Sequence, residues 1–66
     1  MNTLTKEEWE DISERLDRMA EDCDQIVTLI ADDTNPGAAA MLGRVKAIHA
    51  AVSEALTHAG QQEEKA

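Results

Sequence analysis

The chain has 66 residues, with fourteen Asp and Glu against six Lys and Arg, a formal net charge of −8. That length allows one domain at most, with a core small enough that oligomerisation commonly supplies missing burial. The single Cys excludes an internal disulfide, and three Gly with one Pro argue against a turn-rich β fold. Residues 1–8 lack the basic and apolar regions of a signal peptide, and no apolar run is long enough to span a bilayer. The composition is that of an all-α protein, and the expected location is cytoplasmic.

The first helix is marked by two start signals. Thr5-Lys6-Glu7-Glu8 is a capping box, and Leu4 and Trp9 occupy the two positions of a hydrophobic staple, so Thr5 is the expected N-cap. Trp9, Ile12, Leu16, Met19, Cys23, Ile26 and Ile30 then follow at alternating spacings of 3 and 4. This pattern draws one apolar seam along a helix expected over about residues 5–31. Asp32-Asp33-Thr34-Asn35 is the expected turn, because carboxylates at a helix C-terminus oppose the macrodipole.

Asn35-Pro36 restarts the chain as an N-cap followed by proline at the first helical position. Met41, Val45, Ile48, Val52, Ala55 and Ala59 repeat the seam, with Leu42, His49 and Leu56 beside it. Gly60 reads as the stop, His58 as a last-turn residue, and 61–66 as a flexible tail beyond a 1–60 domain. Two helices of matched length joined by a short connection predict an antiparallel hairpin. Ala20, Val27, Leu42 and Leu56 widen both stripes beyond what one facing helix covers. The expectation is therefore a homodimer of hairpins closing into a four-helix bundle.

Charge is uneven along the chain. Residues 1–33 hold eleven acids against Lys6, Arg15 and Arg18, whereas residues 34–66 are neutral overall. Glu7, Glu10, Glu14, Asp17, Glu21 and Asp24 form a carboxylate stripe about 25 Å long at 1.5 Å per residue. A solvated face that keeps the protein soluble needs no more than this, with Asp11–Arg15 and Glu14–Arg18 pairing at i,i+4. The sharper reading is a surface that attracts a basic protein partner, and the same field disfavours direct nucleic-acid binding. On the second helix Ala40, Gly43, Ala47, Ala50 and Ala51 leave a flat side, and Gly43 with Ala47 suits close approach of another helix.

The sequence carries no catalytic or metal-binding motif. Cys23 lies on the seam as a small hydrophobe, and the His49–His58 spacing fits no zinc pattern. No nucleophile–base pair or phosphate loop can be assembled, so the expectation is a non-enzyme without metal or cofactor. The seam layout from Trp9 to Ile30 and Met41 to Ala59 resembles the Rop family of plasmid-encoded proteins. That resemblance implies dimerised hairpins and an RNA-binding function, which would use the second helix, where Arg44 and Lys46 are the only clustered bases. Small acidic helical dimers also look like phage and plasmid accessory proteins that bind and inhibit a host regulator. A subunit completing a larger helical complex is the remaining alternative.

Overall fold

The computed structural model describes residues 3–66, which form two packed helices: α1, Lys6–Ile30, and α2, Pro36–Lys65. The molecule is a rod, 48 × 17 × 15 Å. At the start of α1 the Glu8 backbone N–H donates to Thr5 Oγ1 at 3.1 Å, and the Thr5 N–H donates to Glu8 Oε1 at 2.9 Å. Two backbone donors without helical partners are thereby satisfied reciprocally.

The reversal between the helices is held by short-range bonds. The Asp33 N–H reaches the Ile30 carbonyl at 3.1 Å, closing the end of α1. Asp33 Oδ1 then accepts from the Asn35 N–H at 2.8 Å, and Asn35 Oδ1 accepts from the Gly37 N–H at 2.7 Å. Asn35 thus caps α2, and Pro36 at its first position loses no helical bond, since that N–H would have had no partner.

α2 runs past the expected stop and ends at Lys65 rather than near residue 59. A terminating glycine acts by turning into the left-handed region, and none of the glycines described has a positive φ. The following Gln-Gln-Glu-Glu-Lys residues are good helix formers, and Lys65 complements the dipole in the final turn. His58 consequently sits within the helix rather than in its last turn. It meets Trp9 edge to face, with ring centroids 6.3 Å apart and planes at 80°. With Asp24 facing His49 near the other end, this contact fixes the antiparallel register.

One line of residues on each helix faces the other: Trp9, Leu16, Cys23 and Ile30 on α1, and Ala38, Val45, Val52 and Ala59 on α2. Cys23, Val45, Val52 and Ala59 are the buried members, and the rest of the two lines is half-buried. The residues three and four positions away from each line fall about 60° to one side and about 40° to the other at 3.6 residues per turn. Because the helices run in opposite directions, Ile12, Met19 and Ile26 share a side with Met41, Ile48 and Ala55. Ser13, Ala20 and Val27 share the opposite side with Leu42, His49 and Leu56. The two sides are not equally covered. Every residue of the second group is half-buried, whereas Met19, Ile26, Met41 and Ile48 of the first are exposed. The seam read as one core is therefore split into a closed contact line and an open apolar face.

Candidate interaction surfaces

The open face is the largest departure from a closed fold. Met19, Ile26, Met41 and Ile48 are 47%, 38%, 51% and 49% exposed, and Leu29, next to Ile26 at i+3, is 82% exposed. Ile12 and Ala55 extend the same face as half-buried residues. Its borders are set by the rows one step further round: Glu8, Arg15, Asp22 and Leu29 on α1, and Gly37, Arg44, Ala51 and His58 on α2. No charged side chain stands between these rows. Leu29 escaped the seam reading because it lies one residue before Ile30, although its position three after Ile26 marked it.

All six residues of the carboxylate stripe, Glu7, Glu10, Glu14, Asp17, Glu21 and Asp24, are exposed. Asp24 is engaged, its Oδ1 lying 3.5 Å from His49 Nε2 on α2. The other five are in no ion pair among the described residues. Of the two expected i,i+4 pairs, Arg15–Asp11 forms at 3.0 Å. Arg18 and Glu14 stay apart, as expected of a surface pair whose attraction barely offsets side-chain entropy. By helical angle the stripe points nearly opposite to Met19 and Ile26. One surface can be covered without touching the other.

The outer side of α2 is flat. Ala40, Gly43, Ala47, Ala50 and Ala51 are exposed, and a Cβ added at Gly43 would meet nothing within 4 Å. No close helix approach at Gly43 and Ala47 occurs within the hairpin, so a helix using that surface would come from outside it. Arg44 and Lys46 do not form a cluster. Residues two apart on a helix do not share a face, and Arg44 borders the open apolar face while Lys46 points away from it.

The remaining seam residues serve packing. Cys23 is a buried free thiol on the contact line, and Trp9, Ile12, Leu16, Ile30 and Leu56 are half-buried around it. Among the described residues, no three His, Cys, Asp or Glu side chains are grouped to hold a metal ion. No helix of the described chain is long and apolar enough to cross a membrane. No protein-family model, curated protein or solved structure matches this chain.

Proposed function

We propose that this protein is a small acidic interaction module. It self-associates through the open apolar face into a four-helix bundle and presents its carboxylate stripe to a basic, nucleic-acid-binding protein, whose surface it masks. The observation that carries this reading is the opposed placement of the two surfaces. Burying Met19, Ile26, Met41 and Ile48 against a second copy leaves Glu7 through Asp24 facing solvent on both protomers. A field of that sign and regularity steers encounter with a Lys/Arg-rich patch and falls off with salt. The separation of Arg44 from Lys46 leaves the nucleic-acid-binding alternative without a basic surface.

The test is affinity capture from nuclease-treated lysate of the source cells, comparing wild type with the variant Glu10→Gln, Glu14→Gln, Asp17→Asn, Glu21→Gln. A basic protein retained by wild type, lost by the variant and released by salt supports the reading. A partner retained equally by both overturns the electrostatic mechanism and directs attention to the Ala40–Ala51 side of α2.

A further inference from the structure

The self-association proposed above leaves open how two hairpins meet, and the charge on the two helices decides it. Two copies can close their apolar faces about a two-fold axis in only two ways. With the turns at opposite ends, each α1 lies alongside the partner's α1. With the turns at the same end, each α1 lies alongside the partner's α2, and the two α1 helices are diagonal.

We infer that the second copy docks with its turn at the same end, α1 of each protomer against α2 of the other. The first consideration is the amount of surface left open. The hairpin exposes 5129 Å², whereas a compact monomer of its 7.2 kDa mass exposes about 4,100 Å² by size scaling. The excess of about 1,000 Å² matches one partner's share of a stable interface, about 800 Å². The second is charge. α1 carries nine acids against three bases, whereas α2 carries three of each. Opposite-end docking would lay two strongly acidic helices side by side; same-end docking places each against a neutral one.

Residue chemistry along the borders agrees. In the same-end arrangement the row Glu8, Arg15, Asp22, Leu29 of one protomer runs level with His58, Ala51, Arg44, Gly37 of the other. Asp22 then meets Arg44, and neither has an ion-pair partner among the described residues of its own hairpin. The long side chains of Arg15 and Leu29 stand over the small Ala51 and Gly37, which leaves Leu29 a place to be covered. Opposite-end docking instead sets Leu29 beside Glu8 and Asp22 beside Arg15, which Asp11 of its own helix already engages at 3.0 Å, and it leaves Arg44 facing Ala51. The same-end arrangement also brings both Asp32-Asp33 turns to one end. Those four carboxylates are at exposed tips and screened by salt, whereas Glu8 and Asp22 of α1 border the interface itself.

Two measurements test the orientation, after circular dichroism has established that the wild-type chain and each variant are helical and sedimentation has established their association state. In a Cys23→Ala background, a spin label at Thr34→Cys reports the distance between the two turns. Same-end docking places the labels within about 30 Å, the width of a four-helix bundle plus linkers. Opposite-end docking places them near the 48 Å length of the hairpin and overturns the inference, while leaving the dimer itself intact. The second measurement is a charge swap. Arg44→Glu should raise the dimer dissociation constant roughly tenfold, because two symmetric pairs turn repulsive. Adding Asp22→Arg should return it to near the wild-type value; absence of rescue overturns the pairing. A wild-type chain that stays monomeric at millimolar concentration overturns both this inference and the self-association beneath it. Neither measurement touches the carboxylate stripe, so the basic-partner reading is tested separately.

Discussion

The indole of Trp9 and the imidazole of His58 meet edge to face across the helix pair, 6.3 Å between centroids. The contact ties the second turn of α1 to α2 just before Gly60, the position at which α2 continues instead of stopping. It joins the free ends of the two helices, where they would otherwise fray.

Replacing His58 by Ala should therefore loosen the open end of the hairpin more than its exposed position suggests. Edge-to-face aromatic pairs contribute about 0.5–1.5 kcal/mol beyond area burial, and a double-mutant cycle of Trp9→Leu with His58→Ala should return a coupling of that order. Trp9 is the sole tryptophan, so its fluorescence reports directly. Urea unfolding followed by circular dichroism measures all four species, and fluorescence adds a second probe for the two that keep Trp9. A coupling near zero would show that the two rings are neighbours without energetic consequence.

Ser13 offers a stabilising change. Its Oγ is buried with no hydrogen-bond partner among the described residues, on the half-buried side of α1. An orphaned hydroxyl carries its desolvation cost without return, and Ala is also the better helix former. Ser13→Ala should raise stability by about 0.5–1.5 kcal/mol, read as a higher urea midpoint at unchanged slope. A loss of stability would mean that the hydroxyl is satisfied, for instance by a bound water.

The local signals in the sequence were sufficient for the helices themselves. The Thr5–Glu8 box, the Asn35-Pro36 start and the 3–4 spacing of the seams depend only on neighbours within one or two turns. What spacing could not decide is the rotation of each helix about its own axis. Met19 and Cys23 look equivalent as a seam pair, but the facing helix covers Cys23 and leaves Met19 open, because the contact line runs along every seventh residue. The stripe from Glu7 to Asp24 was legible for the same local reason. The pairing of Asp24 with His49 was not, since it depends on the register between helices. Gly60 misled because a glycine stops a helix only when its backbone turns left-handed, and the residue type permits that turn without imposing it.

Gly43 separates the hairpin's own needs from those of an outside helix. It lies inside α2 with open space where a Cβ would go. Gly43→Ala should stabilise the protein by about 0.5–1 kcal/mol through reduced backbone entropy of the unfolded chain. Thermal unfolding measures this. If the substitution stabilises the chain but weakens capture of a partner, the flat side of α2 is a contact surface. If capture is unaffected, the glycine has no packing role.

Val52 and Ile48 lie four residues apart on α2 with opposite environments in the lone hairpin: Val52 is 5% exposed and Ile48 is 49% exposed. Val52→Ala removes two methyl groups from the contact line and should cost about 1–2.5 kcal/mol at every protein concentration. Ile48→Ala in a monomer should cost much less, since half of that side chain is already in water. In the dimer proposed above, Ile48 sits at the centre of the covered face, once from each protomer, so its truncation carries a cavity cost twice over. Ile48→Ala should then lower the unfolding midpoint about as much as Val52→Ala at high concentration, and its effect relative to wild type should shrink as the protein is diluted below its dimer dissociation constant. Melting both variants over a hundredfold concentration range decides the matter. Concentration-independent midpoints with a negligible effect of Ile48→Ala would mean that the open face is not covered by a second copy.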